Sequence, residues 1–234
     1  MKPKTISIIM PVYNEAKTLA KIIDKVQNIK LFSLKKEIII VNDASKDNSE
    51  EIILKMIKKY SNISYFKHSK NQGKGAAVRT GLKHFKGDLV VIQDGDLEYD
   101  PRELRKLVLP ILNNEYSVVY GSRVIGKISG FKISSHYYGN LFLSFITRLL
   151  YGQNITDMET CYKMMTRKVA ESLNLNSNKF DIEPEITAKI IKKGYHIKEI
   201  PITYNSRSFE EGKKIGWKDG LKALYVLCKY RILE

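Results

Sequence analysis

Short β-branched, apolar runs alternate along this chain with longer stretches whose apolar positions recur every three or four residues. Residues 6–12, 37–41, 63–66, 89–92, 117–120, 161–165 and 196–202 read as strands, and the run at 89–92 is apolar on both faces. Between them, Leu19, Ile22, Ile23 and Val26 mark one amphipathic helix. Ile52, Ile53, Met56 and Ile57 mark a second, with Asp47, Asn48 or Ser49 able to cap it. A third opens at Asn71-Gln72-Gly73-Lys74-Gly75 and carries Ala76, Ala77, Val78 and Leu82. Further helices are expected over 101–112, 134–151, 180–190 and 216–231. Strands alternating with helices predict an α/β fold, a Rossmann-like, mostly parallel sheet flanked by helices, in which ligands gather at the C-terminal ends of the strands. No repeat, low-complexity tract or clear linker interrupts the pattern. The expected organisation is one domain over 1–210 with a basic amphipathic C-terminal helix over 211–234.

Polar residues collect at the edge where ligands are expected. Residues 89–92 run straight into Asp94-Gly95-Asp96-Leu97-Glu98. With Gly95 allowing a tight turn, Asp94 and Asp96 can converge on a hard cation such as Mg²⁺ or Mn²⁺; the alternative is a polar turn ending a strand, since Asp and Gly favour turns. Arg123 follows the strand 117–120, where its planar fork could clamp a phosphate or simply face solvent. Gly73-Lys74-Gly75 fits neither a P-loop nor a dinucleotide fingerprint, so it reads as a flexible helix start with a solvated lysine in preference to a phosphate contact. Glu183 and Glu185 flank Pro184 in a first helical turn, where acids complement the helix dipole. Asp157 has no such structural explanation.

Composition narrows the choice of partner. The 234 residues, 43% of them hydrophobic, suffice for one large domain with a substantial core. Forty Lys and Arg against 25 Asp and Glu give a net charge of +15, which favours nucleic acid, phosphorylated metabolites or an acidic membrane surface. Nucleic acid fits poorly, because zinc-finger and RNA-recognition signatures are missing and the acids cluster where a phosphate backbone would be repelled. Two cysteines, Cys161 and Cys228, exclude a disulfide framework and suit a reducing cytosol as packing residues. The N-terminus passes from Met-Lys-Pro-Lys into a strand, so no signal peptide is expected, and no run reaches the ~20 apolar residues of a membrane span. Residues 134–151, with Tyr137, Tyr138, Leu141, Phe142, Phe145, Ile146, Leu149 and Leu150, read either as an interfacial helix touching lipid or as a core helix.

Taken together, Pro11-Val-Tyr-Asn-Glu15, Val41-Asn-Asp-Ala-Ser45, Asn71-Gln-Gly-Lys-Gly-Ala76, Asp94-Gly-Asp96, Gly121-Ser-Arg123, Asp157-Met-Glu-Thr-Cys-Tyr162 and the stretch from Arg207 to Lys214 come in the order found in family-two glycosyltransferases of the GT-A fold. The chain most resembles the branch of dolichyl-phosphate mannose or glucose synthases. The resemblance implies that Pro11, Tyr13, Glu15, Val41 and Asp43 hold the base and ribose of a UDP- or GDP-hexose donor. It implies that Asp94, Gly95, Asp96 and Glu98 approach the diphosphate, with Asp94, Asp96 and Glu98 on Mg²⁺ or Mn²⁺. Arg123, Arg207 and Lys213 would bind donor or acceptor phosphate. Asp96, Arg123 and Asp157 are then the catalytic candidates, Asp157 as a base for a hydroxyl acceptor or as a positioning group for a polyprenyl phosphate, which arrives anionic. Mannose synthases carry Ser-Gly-Phe-Arg after the aspartate, so mannose is not assumed here. The implied setting is peripheral, at the cytoplasmic face of a membrane, alone or with a membrane-protein partner. A saccharide-hydroxyl acceptor, a basic nucleic-acid-binding protein and an inactive scaffold are the competing expectations.

Overall fold

A computed structural model describes residues 3–126, 128–129, 135–206 and 217–232. Its first half alternates strand and helix: β1 (Thr5–Val12), α1 (Leu19–Asn28), β2 (Lys35–Asn42), α2 (Ser49–Lys59), β3 (Ile63–Lys67), α3 (Lys74–His84) and β4 (Leu89–Ile92). A 3-10 turn (Pro101–Glu103), capped by the Asp100 side chain on Arg102 N, leads into α4 (Leu104–Leu112) and β5 (Val118–Ser122). The second half comprises β6 (Ile128–Ser129), α5 (Ser135–Tyr151), β7 (Lys163–Thr166), α6 (Arg167–Ser172), α7 (Ile182–Lys192), β8 (Ile197–Pro201), β9 (Tyr204–Asn205) and α8 (Trp217–Ile232). The short α6 and the two-stranded β6–β9 ribbon were not expected from periodicity, which fails for elements this short.

Seven strands form one sheet in the order β3-β2-β1-β4-β7-β5-β8. The chain builds outward from β1 to β3, then returns to the other side of β1 with β4. That reversal between β1 and β4 is a topological switch point, where the crossover loops part and leave a crevice at the strand ends. All pairings are parallel except those of β7, which runs antiparallel to both β4 and β5, with Val90 opposite Met165 and Val119 opposite Met164. The central strands are sealed on both faces: Ile6, Ile8 and Ile9 of β1, Ile38 to Val41 of β2 and Leu89 to Val91 of β4 are all fully or almost fully buried. This is why they read as continuous apolar runs.

The predicted helical stripes face this core, Leu19, Ile22, Ile23 and Val26 being wholly buried. Asp47, not Asn48, ties down the start of α2, accepting from Ser49 N at 3.0 Å while its other oxygen accepts from Ala16 N at 3.0 Å. The glycines opening α3 serve a close backbone approach. Gly73 adopts φ +101°, and a Cβ on Gly75 would lie 2.6 Å from the carbonyl oxygen of Ser177. Ala in place of Gly75 should therefore destabilise by roughly 1–3 kcal/mol, despite Ala's better helix propensity, because the 177–179 backbone must move. Urea denaturation checks this; a variant as stable as the parent would mean that the segment yields freely.

Helix α8 packs on α7 and α5, burying Ala223, Val226, Leu227 and Tyr230. Its anchor is Tyr230, whose hydroxyl donates to Glu185 at 2.7 Å.

Candidate active site

The loops after β1, β2, β4 and β5 meet at the switch point around a cavity of about 780 Å³. Pro11, Tyr13, Glu15, Asp43, Asp94, Gly95, Asp96, Glu98 and Arg123 all line it. Val41 does not: it is fully buried in the core, in register with Pro11. Arg207 and Lys213 lie outside the described residues. Asn14 and Ala44, in the loops after β1 and β2, both hold positive φ (54° and 57°), a conformation unusual for residues with a Cβ and frequent where backbone strain is kept at a working site. The two loops are stitched together, Lys46 N donating to Asn14 Oδ1 at 2.7 Å and Asn14 N to Ser45 Oγ at 3.1 Å.

Asp43 is 2% exposed, and its carboxylate organises the neighbouring loop. Gln72 N and Gly73 N donate to its two oxygens at 2.9 and 2.7 Å, and His68 Nδ1 lies 2.7 Å from Oδ1. It thereby fixes the part of the cavity wall formed by Asn71 and Gly73.

Lys74 corrects the sequence reading. It is not a solvated lysine: it lines the cavity, and its ammonium bridges Asp94 at 2.9 Å and Glu183 at 3.1 Å. Glu183 in turn pairs with the fully buried Lys163 at 2.6 Å. Asp94, Lys74, Glu183 and Lys163 thus form a line of alternating charge that runs from the cavity wall to the buried Lys163 behind it. Burial by itself would lower the Lys74 pKa, and the carboxylates of Asp94 and Glu183 overcome it, holding the ammonium well above its ordinary value. Glu183 stands in the first turn of α7, as read from sequence, and is also the hinge of this network.

Asp96 is 5% exposed and accepts from Glu98 N at 3.0 Å, closing the turn after β4. Gly95 is not among the glycines with positive φ, and a Cβ there would meet ordinary contacts at 3.4 Å or more, so the turn does not depend on glycine. No group of three or more metal-ligating side chains converges among the described residues. Asp94, Asp96 and Glu98 are not gathered into one three-carboxylate cluster in this structure; Glu98 faces Tyr204, whose phenol is pushed up first by burial and then by the Glu98 charge. The Asp94–Asp96 pair, all oxygen and open to the cavity, still fits a Mg²⁺ or Mn²⁺ ion of the kind that takes one or two protein carboxylates and fills its shell with water and substrate phosphate.

Arg123 and Asp157 form a fork-to-fork pair: Arg123 Nε and Nη2 donate at 2.8 and 2.7 Å, and Arg123 N adds a third bond at 2.8 Å. Asn140 Nδ2 of α5 donates a fourth, at 2.9 Å. Asp157 is wholly buried behind Arg123 and is not part of the cavity wall. Burial would raise its pKa, but the Arg123 guanidinium holds it below the ordinary carboxylate value. A carboxylate so engaged holds the arginine in place. The guanidinium also stacks 5.1 Å from the Tyr204 ring centroid, which leaves it oriented with the Nη1 donors outside the carboxylate pair. Glu199 of β8 supports the loop from beneath, accepting from Thr156 N and Asp157 N at 2.8 and 2.9 Å.

Sequence reasoning missed the roles of Lys74, Lys163, Glu183, Asn140 and Glu199, whose partners lie far along the chain and leave no local signal. Glu159 had one available, its place two residues after Asp157 in the same loop.

A deep crevice at the β1–β4 switch point, acids at one strand end and a locked arginine at another define a glycosyltransferase of the GT-A class. Residues 7–173 match Glycosyl transferase family 2, and the chain belongs to that family. It is 30% identical to a UDP-N-acetylglucosamine–dolichyl-phosphate N-acetylglucosaminyltransferase of Methanococcus voltae, covering 99% of this chain and 98% of that one. It is 29% identical to a dolichyl-phosphate beta-glucosyltransferase of Trichomonas vaginalis, covering 86% of this chain and 65% of that one. Among solved structures, glucosyl-3-phosphoglycerate synthase from Mycobacterium tuberculosis in complex with Mn²⁺, UDP and phosphoglyceric acid superposes with a TM-score of 0.75 at 17% identity, over 99% of this chain and 80% of that one. This last likeness is one of fold.

Proposed function

We propose that this glycosyltransferase moves a hexose, with inversion, from a UDP- or GDP-linked donor to a polyprenyl phosphate at the cytoplasmic face of a membrane. One observation carries the choice of acceptor. The cavity that starts at Pro11 and Asp43 and passes Asp94 and Asp96 ends between apolar residues of α5 and α8, namely Phe142, Leu143, Leu221 and Leu224. From Phe142 and Leu221 an exposed apolar stripe continues along each helix: Tyr138, Phe142, Phe145 and Leu149 on α5, and Leu221, Tyr225 and Ile232 on α8. The spacing of four, three and four residues on α5 puts its four side chains on one helical face. Opposite faces bury Leu143, Ala223 and Leu227, so α5 is a core helix on one face and leaves the other for the lipid contact proposed here. Arg148, Lys218, Lys222, Lys229 and Arg231 on the same two helices suit an anionic lipid surface. Among the described residues no helix is long and apolar enough to cross a membrane. The names of both relatives include dolichyl phosphate, which supports the same acceptor class.

In this reading the nucleoside stacks into the wall made by Pro11, Tyr13 and the loop fixed by Asp43. Asp94 and Asp96 would hold a divalent ion, whose chemistry is to offset negative charge on the departing diphosphate. Arg123, kept planar and in place by Asp157, presents its remaining N–H groups to phosphate. The acceptor phosphate, with a second pKa of ~6, is anionic at neutral pH and attacks the anomeric carbon from the face opposite the diphosphate.

The test is incubation with UDP- or GDP-hexose, Mg²⁺ or Mn²⁺, and a short-chain polyprenyl phosphate, with product stereochemistry read by NMR. A lipid-phosphate sugar of inverted configuration is expected. Transfer to a saccharide hydroxyl with none to the lipid phosphate would sink the proposal. Phe145→Glu with Leu149→Glu should abolish sedimentation with phosphatidylglycerol vesicles while sparing transfer to the water-soluble short-chain acceptor.

A further inference from the structure

Glu159 lines the cavity beside the Arg123–Asp157 pair. Its backbone is pinned, with Glu159 N donating to Asn140 Oδ1 at 3.3 Å, while Asn140 Nδ2 holds Asp157 at 2.9 Å. Its side chain is not committed in the same way. Glu159 Oε1 is closed off from solvent and has no hydrogen-bond partner among the described residues. A buried polar oxygen left unpaired is costly, and such a group in a native structure calls for an explanation, a catalytic or binding role among them. The surrounding charges oppose one another. Glu183 of α7 and Asp157 repel an ionised Glu159, whereas Lys163 of β7 and Arg123 after β5 favour it. Burial, then the Glu183 charge, push its pKa up to about 7. The carboxyl therefore exchanges its proton in the range where a cytosolic enzyme works.

Resting on the phosphate-acceptor reading above, we propose that Glu159 is an acceptor-binding residue: its protonated carboxyl donates a hydrogen bond to the phosphate monoester, and its ionised form excludes it. The phosphate oxygens are acceptors only, so a protonated carboxyl complements them and a carboxylate repels them. A hydroxyl acceptor would need the reverse, an ionised Glu159 able to take its proton. One side chain thus separates two acceptor classes by opposite dependences on pH.

The experiment measures acceptor KM and kcat between pH 6 and 8.5 for the wild type, Glu159→Gln and Glu159→Ala, with short-chain polyprenyl phosphate and saturating donor, and UDP or GDP affinity by calorimetry alongside. Only the protonated fraction binds, so the wild-type acceptor KM is expected to rise roughly tenfold from pH 7 to 8.5. The acceptor's own second ionisation, near pH ~6, is complete over that interval and does not contribute. Gln, a permanent donor of the same shape, should give a low KM that is flat with pH. Ala should give a KM that is also flat but raised several-fold, and nucleotide affinity should stay the same in all three. Identical pH profiles for wild type and Glu159→Gln overturn the assignment, as does a Gln variant that loses kcat at unchanged KM, which would make Glu159 a base. Either result leaves the acceptor class standing. Failure of the wild type to transfer to any polyprenyl phosphate overturns the acceptor reading and this assignment with it.

Discussion

Glu183→Gln is expected to destabilise the protein by about 3–5 kcal/mol, the usual result of removing one partner from a buried ion pair. Glu183 is 2% exposed and holds two ammonium groups, Lys163 at 2.6 Å and Lys74 at 3.1 Å. Lys163 is fully buried, and without Glu183 its charge would keep the carbonyl oxygens of Met158 and Thr160 and the face of the Tyr120 ring, but no directly paired carboxylate. A glutamine of the same shape offers one oxygen and turns an N–H₂ group toward a cation. Urea denaturation reads the loss. Lys163→Met combined with Glu183→Gln should recover at least half of the loss, because the uncompensated charge goes with its partner. A single-variant cost below about 1 kcal/mol would show that the line of charges adds little to stability.

Asp96→Asn is expected to lower turnover by about 10²–10³ while leaving the fold intact, the size of effect seen when one preorganised electrostatic group is lost. The substitution is a clean one. Asp96 Oδ1 accepts from Glu98 N at 3.0 Å, and the amide oxygen of Asn can keep that bond, so the turn survives and the charge alone is removed. Asp94 remains, but it already faces the Lys74 ammonium at 2.9 Å. Calorimetric titration with UDP and GDP, with and without Mn²⁺, should give metal-dependent binding of one nucleotide to the parent and a loss of that dependence in the variant. Retained metal dependence with turnover within threefold would move the ion away from this turn.

Much of the architecture was legible without coordinates. Apolar runs at 6–12, 37–41 and 89–92 became the three central strands β1, β2 and β4, because a parallel sheet covered on both faces selects β-branched residues at every position. Residues following those strands were bound to share one edge, so Tyr13, Glu15, Asp43, Asp94 and Asp96 could be placed together from the order of elements alone. Local chemistry explains less than it promised at Gly73 to Gly75, where the glycines admit the backbone at 177–179 and Lys74 turns inward. It also assigned Glu183 to a helix dipole alone, since its partner Lys163 belongs to a distant strand that no local pattern could bring near.

Asp157 shows where the sequence stops and tertiary structure takes over. The sequence placed it just before a strand, and in a parallel strand that position lies at the edge opposite the site. β7 instead runs antiparallel between β4 and β5, so the segment leading into it arrives at their C-terminal ends, with Lys163 opposite Tyr120 and Gly121 N donating to Tyr162 O at 2.8 Å. That one reversal carries Asp157 to Arg123 and Glu159 to the cavity. The sequence by itself determined the strands, their covered faces and the acids that follow β4, because these depend on periodicity and on neighbours in the chain. The direction of β7, and with it the partners of Asp157, Glu159, Lys163 and Glu183, was decided by packing, because a strand's hydrophobic pattern is the same whichever way it runs.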